Sequence, residues 1–564
     1  MKHKPFIFLI IIIFSALLVS ARGILLIQAQ SSGTIEGIVL TNGDPVAGAV
    51  VRVRGNDTYV LTDEDGRFSL TATADNDQVM ITAWSPGFYI GGTEIGALLD
   101  GNETSINLHP HPTIDNTDYE FISPVLDMAN ESACSHCHLD HSGEADGALP
   151  VDEWLLDAHS GAATNPRFLS LYNGTTVEGV EGIVTRYTFN EDAGLNVPES
   201  PSLGMSESGP GFRLDYPEQT GSCATCHVPV LALEAPYQAD PNHAEGLATE
   251  GITCDFCHKI ADVTLRENGK PDPGLPGVLS LAFLRPSDEQ VFIGPFDDTP
   301  GDDIFSELQT ESQVCAACHS GQFWDVPTYN SFGEWLDSPY SGPDTGQTCQ
   351  DCHMPHSGAT AFVQLPEDEM TTIPERNPET IFSHRMPGAS DADLLAETAT
   401  LTIEALSEDG NLQVTVDVTN SGAGHHIPTD NPLRNMILLI EATDEADNRL
   451  TLLEGPTIPD WGGVGDPEAG YYAGMPGVLY AKVLADAFTG ETPTYAYWRP
   501  TKLVSDNRIA AMAADSSTYV FDLPEGEVTV EARLILRRAF IDLMDVKGWD
   551  TPDMLMESAT VSVP

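Results

Sequence analysis

Hydrophobic and polar positions alternate in some stretches of this chain and not in others. Residues 33–108 and 396–564 alternate apolar and polar side chains between turn residues, which is typical of half-buried β-strands. Residues 112–395 lack long periodic runs and are rich in Gly and Pro, which favours short helices and irregular structure. At 564 residues the chain is too long for one hydrophobic core. The pattern therefore predicts a multidomain protein: an N-terminal β-sandwich, a central domain that is mainly α or irregular, and a C-terminal β-sandwich.

The first thirty residues have the pattern of an export signal. Lys2 and Lys4 precede an unbroken apolar run over residues 6–18, and small and polar residues follow up to Gln30. We predict a signal peptide over residues 1–30, cleaved after Ala29 or Gln30. The alternative is an uncleaved membrane anchor, because residues 23–27 are again apolar, although the core over residues 6–21 is short for a membrane span.

The two β regions differ in the folds that their patterns predict. In the C-terminal region, strands are predicted over residues 399–403, 412–418, 436–442, 517–521, 528–534 and 558–564, and an immunoglobulin-like β-sandwich fits this series best. In the N-terminal region, a strand over residues 34–40 is followed by a turn over 42–45 and a returning strand over 46–53. This N-terminal pattern resembles the carboxypeptidase regulatory-like domain, which implies a seven-stranded β-sandwich with a spacer or docking role.

All ten cysteines of the chain belong to five copies of one motif, Cys-x-x-Cys-His. The copies comprise Cys134, Cys137 and His138; Cys223, Cys226 and His227; Cys254, Cys257 and His258; Cys315, Cys318 and His319; and Cys349, Cys352 and His353. This spacing is the attachment signal of c-type haem, in which both thiols bond to the porphyrin and the histidine is the proximal iron ligand. Structural zinc sites and disulfide frameworks do not require a histidine after every second cysteine. The sequence therefore predicts five covalently attached haem c groups.

Spacing and charge add to this prediction. The first cysteines of successive motifs are separated by 89, 31, 61 and 34 residues, so we expect the second and third haems, and the fourth and fifth, to be neighbours. Haem is attached outside the cytoplasmic membrane, which agrees with the export signal and indicates a periplasmic or cell-surface location. A net charge of −60 disfavours nucleic acid and anionic lipid as partners. It favours cationic redox proteins or an extracellular electron acceptor, unless it serves only to keep the protein soluble in salt.

The second axial ligand of each iron decides the chemistry. A second histidine gives a low-spin electron carrier, whereas an open position permits catalysis. Sequence context favours four places for distal ligands: His159, His243, His384 and the adjacent pair His425 and His426. A weaker group is expected to supply the fifth ligand, and its members are His109, His111, His136, His141 and His356. A ligand from the pair 425–426 would tie the C-terminal sandwich to the haem domain.

Two segments carry a resemblance to a known family. Residues 332–340 (Phe-Gly-Glu-Trp-Leu-Asp-Ser-Pro-Tyr) lead to the last motif in residues 348–355, and residues 251–260 surround the third motif. These segments resemble the cytochrome c-552/4 domain family of multihaem cytochromes, which implies a shared haem packing and an electron-transfer role over residues 112–390. The chain departs from related pentahaem nitrite reductases, because none of its five motifs ends in Lys. It also has Ser338-Pro339 where an earlier Trp segment has Ala158-His159, so one distal histidine is missing there.

Three functions remain open from the sequence. The first is an exported pentahaem electron carrier with mostly bis-histidine haems and no catalytic residue, favoured by the number of available histidines. The second is a multihaem redox enzyme that acts on small nitrogen or sulfur oxyanions at one open haem. The third is a homo-oligomer, as the subunit of an extracellular cytochrome filament joined through the terminal β domains.

Overall fold

The structure is a computed structural model of the chain. It describes residues 31–74, 78–96, 103–125, 133–140, 149–191, 193–198, 207–287, 291–301, 303–365 and 373–564. The predicted signal peptide over residues 1–30 and the candidate ligand His141 lie outside these residues. The chain divides into two compact units, one formed by Met1–Thr113 with Glu289–Phe305 and the other by Ile114–Asp288 with Ser306–Pro564.

The described residues of the N-terminal region form two small sheets. The strands are β1 (Ser31–Thr41), β2 (Asp44–Pro45), β3 (Val50–Val53), β4 (Tyr59–Leu61), β5 (Arg67–Ala74), β6 (Gln78–Trp84), β7 (Gly91–Gly96) and β8 (Thr104–Asn107). One sheet has the order β2-β1-β5 with β8 parallel to β1, and the other has the order β4-β3-β6-β7. Apolar side chains from both sheets, among them Val39, Val51 and Ile81, form one buried core. This region is therefore a small β-sandwich.

The first turn of this unit differs from the expected hairpin. Asn42 and Gly43 have φ of 52° and 92°, the left-handed conformations that a two-residue type I′ turn requires. After the turn only β2 pairs with β1, and the chain then crosses to the second sheet as β3. The predicted returning strand over residues 46–53 therefore belongs mainly to the opposite sheet.

The central region consists of short elements. Its helices are α1 (Cys134–His138), α2 (Pro150–Leu155), α3 (Pro166–Asn173), α4 (Phe212–Asp215), α5 (Ala224–His227), α6 (Pro229–Ala232), α7 (Cys254–Cys257), α8 (Gln313–Ala316), α9 (Ser331–Leu336) and α10 (Cys349–His353). Its strands are β9 (Tyr187–Asn190), β10 (Leu195–Pro198), β11 (Ile260–Val263), β12 (Leu281–Phe283), β13 (Phe292–Gly294), β14 (Asp303–Phe305), β15 (Gly321–Phe323) and β16 (Val326–Tyr329). The parallel pair β13 and β14 belongs to the N-terminal unit, where Phe305 packs edge-on against Trp84. None of the helices that the structure describes is long and apolar enough to cross a membrane.

The C-terminal region is a two-sheet sandwich. Its elements are α11 (Ala392–Thr398), β17 (Ala399–Glu408), β18 (Asn411–Asn420), β19 (Asn435–Thr443), β20 (Leu452–Glu454), β21 (Gly477–Asp486), β22 (Thr501–Asp506), β23 (Ala514–Asp522), β24 (Val528–Arg537), α12 (Ile541–Lys547) and β25 (Met554–Val563). The sheets have the orders β17-β18-β23-β20 and β22-β21-β19-β24-β25. Five of the six predicted strands lie inside β17, β18, β19, β23 and β24, and β25 ends one residue before the predicted end of the sixth.

Strand β19 joins the sandwich to the central region because both of its faces are buried. Met436 and Leu438 lie in the core between the two sheets. Ile437 and Leu439 point the other way, into a second apolar cluster that includes Phe212 of α4. This strand therefore reads as a continuous apolar run rather than an alternating one, as expected for a strand covered on both sides.

A buried ion pair accompanies this apolar contact. Asp215 at the end of α4 accepts hydrogen bonds from Nε (2.7 Å) and Nη2 (2.6 Å) of Arg499. The indole of Trp498 donates to the same carboxylate at 2.7 Å. The side chains of Asp215 and Arg499 are only 1% and 4% exposed, so the pair is cut off from water. Such a bidentate contact fixes the central region against the C-terminal sandwich.

Candidate functional site

Each Cys-x-x-Cys-His motif lies on or beside a short helix: α1, α5, α7, α8 and α10. A single helical turn brings the two thiols, three residues apart, to one side of the helix. Thr253 and Thr348 precede the third and fifth motifs and cap their helices by accepting a hydrogen bond from the backbone three residues on. All ten cysteines are unbonded thiols and half-buried, as attachment of a group through both sulfurs requires.

The proximal imidazoles are held by backbone carbonyls. Nδ1 of His138 lies 2.8 Å from the carbonyl of Phe362, and Nδ1 of His353 lies 2.7 Å from that of Pro387. A ring that donates through Nδ1 presents the lone pair of Nε2 to a metal. Burial lowers the pKa of both histidines, and it lowers the pKa of His227 to about 4. These rings are therefore neutral, the form that binds a metal.

Three proximal rings face a second imidazole. The ring centroids are 6.3 Å apart for His258 and His384, 6.1 Å for His319 and His159, and 6.3 Å for His353 and His425. Two imidazoles that bind one metal through Nε2 have centroids about 6 Å apart, since each metal–nitrogen bond is about 2 Å. The residues present therefore fit an iron between each of these three pairs.

Two of the three facing rings are oriented by a contact at Nδ1. Nδ1 of His159 lies 2.6 Å from the carboxylate of Asp157, and Nδ1 of His425 lies 3.0 Å from the carbonyl of His426. Burial lowers the pKa of His425, and it lowers the pKa of His384 to about 4. The carboxylate at His159 makes that ring the most electron-rich of the three facing rings.

The other candidate histidines lie elsewhere. His426 places Nδ1 3.2 Å from the carboxylate of Glu334, and His243 is exposed at the end of a 3₁₀ turn. The weaker candidates lie in the N-terminal unit (His109 and His111), within α1 (His136) and against Phe382 (His356).

Two motifs remain without an imidazole pair. Among the residues that the structure describes, no second imidazole is paired with the ring of His138 or His227. Phe168 instead stacks on His227, with ring centroids 3.9 Å apart. The described structure thus separates the five motifs into three with two imidazoles and two with one.

The motifs touch one another in an order that differs from their order in the chain. The sulfur atoms of three cysteine pairs lie close enough to shift one another's pKa: Cys134 and Cys254, Cys226 and Cys318, and Cys315 and Cys349. The thiol of Cys257 also lies within electrostatic reach of the fourth motif. The expected proximity of the fourth and fifth motifs is therefore found, whereas the second motif contacts the fourth and the third contacts the first. The fourth motif lies at the centre.

Helix α2 holds two segments of the chain that flank the third motif. The indole of Trp154 donates to the carbonyl of Ile252, two residues before the third motif, at 2.8 Å. The carboxylate of Glu153 accepts from the hydroxyl of Ser383 at 2.8 Å and from the backbone N–H of His384 at 2.6 Å. One helix thus positions both the proximal and the facing histidine of the third motif.

Helix α9 repeats the arrangement at the fifth motif. The indole of Trp335 donates to the carbonyl of Gln347, again two residues before a motif, at 2.8 Å. The carboxylate of Glu334 accepts from the backbone of His426 (3.2 Å) and from the hydroxyl of Thr429 (2.5 Å). Glu334 also forms a 2.8 Å ion pair with Arg508. The repeated Glu-Trp-Leu in residues 153–155 and 334–336 is the sequence signal for these two glutamates, which sequence reasoning did not select.

The backbone sets the correspondence between the two helices. Ile252 donates to the carbonyl of His159 at 3.0 Å, and Gln347 donates to the carbonyl of Tyr340 at 2.9 Å. Tyr340 therefore occupies the position of His159, one residue beyond the Pro339 that the sequence comparison aligned with it.

Comparisons with known proteins add little to this geometry. No family model matches the chain, and no curated protein matches it. Among solved structures, it is similar to a penta-heme cytochrome c552 from Thermochromatium tepidum, with 17% identity, 76% of this chain and 97% of that chain covered, and a TM-score of 0.49. It is also similar to the Northeast Structural Genomics Consortium target SoR45 (12% identity, 30% and 90% covered, TM-score 0.12). A third is the Fcho1 Mu homology domain of Danio rerio with bound Eps15 peptide (8% identity, 30% and 44% covered, TM-score 0.12). Structural similarities this weak do not identify a function, so any function has to be inferred from the residues of this chain.

Proposed function

We propose that this chain is an exported pentahaem c-type cytochrome that transfers electrons. One observation carries the proposal: three Cys-x-x-Cys-His histidines face a second imidazole at 6.1–6.3 Å between ring centroids. In this proposal His159, His384 and His425 are the distal ligands of the fourth, third and fifth haems. The resemblance to the cytochrome c-552/4 domain family remains part of the proposal.

Bound haem iron supplies a reversible one-electron couple. The chain's own residues fix the ligands in both oxidation states. The thiols hold each group covalently, and the hydrogen bonds to Nδ1 of His159, His353 and His425 prevent those rings from turning away. Two imidazoles bound to one iron would exclude water from it, and little would have to move when the electron arrives. These are the properties of a carrier.

The contacts between motifs suggest the route. The first motif touches the third, the third lies beside the fourth, and the fourth touches the second and the fifth. Electrons would therefore reach the fourth haem from any of three sides, and the route is branched. We expect the partner to be a cationic redox protein or an extracellular acceptor, because the chain carries a net charge of −60.

Mass spectrometry and electron paramagnetic resonance test the proposal. The intact mature protein should carry five covalent haems, and residues 1–30 should be absent from it. The ferric spectrum should show at least three low-spin haems, one of them strongly anisotropic because the ring planes of His159 and His319 are 76° apart. High-spin iron at the third, fourth or fifth motif, or fewer than five haems, would contradict it.

A second function is favoured by one observation at the second motif. There the described structure pairs His227 with Phe168 instead of a second imidazole. Two buried tyrosines, Tyr329 and Tyr497, share a hydrogen bond and lie within electrostatic reach of Cys223. An open iron with hydroxyl groups nearby suits reduction of a small oxyanion. Carbon monoxide binding by the reduced protein, together with turnover of nitrite, hydroxylamine or tetrathionate, would favour this enzyme over the carrier.

The third alternative, a filament subunit, is tested by sizing. A carrier should elute as a single small species in size-exclusion chromatography. A filament subunit should form filaments that lengthen as the protein concentration rises, as seen in negative-stain images.

A further inference from the structure

Two arginines with the same charge face each other beside the site. The register of β19 and β24 pairs Asn435 with Arg537, so the next residues along, Arg434 and Arg538, lie at opposed positions. Like charges at opposed positions of neighbouring strands repel each other. Both side chains are half-buried. Arg434 donates one long hydrogen bond to the carbonyl of Thr429, and Arg538 donates one to the carbonyl of Ala389, both at 3.3 Å.

A third arginine joins them from the central region. Arg167 lies in the first turn of α3, where Asn165 caps the helix and accepts from the Arg167 backbone. The next residue, Phe168, packs against the same apolar cluster as the end of β24. Burial and then the charges of Arg167 and Arg434 lower the pKa of Arg538 to about 9, so the three guanidinium charges lie within electrostatic reach of one another.

These arginines have no acidic partner among the described residues. No carboxylate oxygen of the described chain lies within 4.0 Å of Arg167, Arg434 or Arg538. By contrast, Arg499, Arg508 and Arg537 each pair with a carboxylate. The chain has 85 acidic and only 25 basic residues, so acidic partners are abundant. Three half-buried cations without a counter-charge are unfavourable, and an anion between them removes the repulsion.

The position of the cluster connects it to the second and fourth motifs. Burial lowers the pKa of His319, the charge of Asp430 acts to raise it, and the charges of His159 and Arg434 lower it further, so Arg434 lies within electrostatic reach of the fourth motif. Phe168, next to Arg167, stacks on His227. Asp430 is the acidic group nearby, and it is directed to the hydroxyl of Ser331 (3.2 Å) and to His319 (3.9 Å). The space between the three arginines is therefore left to another anion.

We propose that Arg167, Arg434 and Arg538 form a binding site for a carboxylate or a small oxyanion. Guanidinium groups bind both through paired charge-assisted hydrogen bonds. The carboxylate could come from a haem propionate at the second or fourth motif, which rests on the proposed function. The alternative source is a diffusible oxyanion such as sulfate, phosphate or nitrite.

Single charge removals in the full-length haem-loaded protein test the site. The variants are R434Q and R538Q, and the matched control is R186Q, because Arg186 is exposed. Haems are counted first by mass, followed by melting temperature, potentiometric titration of each haem, and calorimetric titration with sodium sulfate and sodium nitrite at low ionic strength.

A propionate occupant predicts that both variants melt at lower temperature than R186Q and shift one haem to a lower midpoint potential, with no saturable sulfate binding by the wild type. A diffusible occupant predicts saturable binding by the wild type and R186Q that is about tenfold or more weaker in R434Q and R538Q. Either result supports the site.

The opposite sign would overturn it. With no anion present, removing one of three repelling charges makes the protein more stable than R186Q and reveals no anion binding. Five haems with that result would refute the arginine site and leave the proposed function standing. Sulfate binding that depends on these arginines, in a protein with fewer than five haems, would support the arginine site and refute the proposed function.

Discussion

Helices α2 and α9 perform the same supporting task at two places in the molecule, and only one of them adds a ligand. In each, a tryptophan holds the segment two residues before a haem motif, and a glutamate holds a loop with the facing histidine. Beyond α2 comes His159, opposite His319. Beyond α9 comes Tyr340, which is buried with its hydroxyl 3.4 Å from the carbonyl of Ser421. Support of a haem segment and donation of a ligand are therefore separate properties of this helix.

The two glutamates also differ in their surroundings. Glu153 accepts hydrogen bonds only from uncharged groups, the backbone of His384 and the hydroxyl of Ser383. Burial raises the pKa of Glu153, although these hydrogen bonds act to lower it. Burial acts to raise the pKa of Glu334 too, but the hydrogen bond from His426, the charge of Arg508 and the hydrogen bond from Thr429 lower it to about 2. The same backbone arrangement thus holds one carboxylate by neutral groups and the other by an ion pair.

The largest expected effect comes from the ligand difference. If the fourth motif holds a haem as proposed, His159→Ala should convert that haem from low-spin to high-spin and remove the most anisotropic signal of the ferric spectrum. Tyr340→Phe changes the equivalent position and should leave every signal in place. Unchanged spectra in H159A would show that His159 is not a ligand.

The ion pair makes α9 the more sensitive support. Glu334→Ala removes three contacts to one buried carboxylate, from Arg508, His426 and Thr429, while Arg508 keeps its ion pair with Asp506; at about 1.5 kcal/mol or more for each hydrogen bond to a charged group, the loss should be about 3–5 kcal/mol of unfolding free energy. Glu153→Ala removes neutral hydrogen bonds and should cost about 1–3 kcal/mol. Urea denaturation of both variants and the wild type measures the difference, and equal losses would mean that the ion pair adds nothing.

Lowering the pH should affect the stabilisation by Glu334 and by Glu153 in opposite directions. Glu334 has a folded-state pKa of about 2, below its ordinary value of 4.5, so its stabilisation is full above pH 4.5 and is lost as the pH falls towards 2. The loss amounts to at most about 3 kcal/mol. Glu153 has a raised pKa, so its protonation on acidification favours the folded state. Melting temperatures from pH 5 to 3 should therefore fall less steeply in E334Q than in the wild type, and no less steeply in E153Q.

The smallest effect is expected at the tryptophans. Trp154→Phe leaves the carbonyl of Ile252 unpaired at a buried position, since Trp154 is only 4% exposed, and should cost about 1–3 kcal/mol. Trp335 is half-buried, so water can replace its hydrogen bond to Gln347, and Trp335→Phe should cost under about 1 kcal/mol. Thermal unfolding of the pair checks the order, and a larger loss in W335F would contradict it.

The sequence predicts local features of this molecule better than long-range ones. The motifs and most C-terminal strands follow from short patterns. Of the histidines that context favours, His159, His384 and His425 face proximal rings, whereas His243 and His426 lie elsewhere. The neighbours of each motif do not follow from its position in the chain, because folding brings Cys226 to Cys318 across the third motif. The arginine cluster is invisible for the same reason, since its members become adjacent only through the pairing of β19 with β24.

The buried ion pair of Asp215 and Arg499 has a consequence for how the molecule matures. Its partners are 284 residues apart, and Lys547 reaches the carbonyl of Ser170 across 377 residues. Contacts so distant in sequence close late and slow folding, because a long loop must be ordered before they form. Haem attachment needs only five consecutive residues, so it can be completed on an open chain. For the proposed cytochrome, we therefore expect the haems to be attached before the last strands arrive, so that the final strands seal a centre that is already loaded.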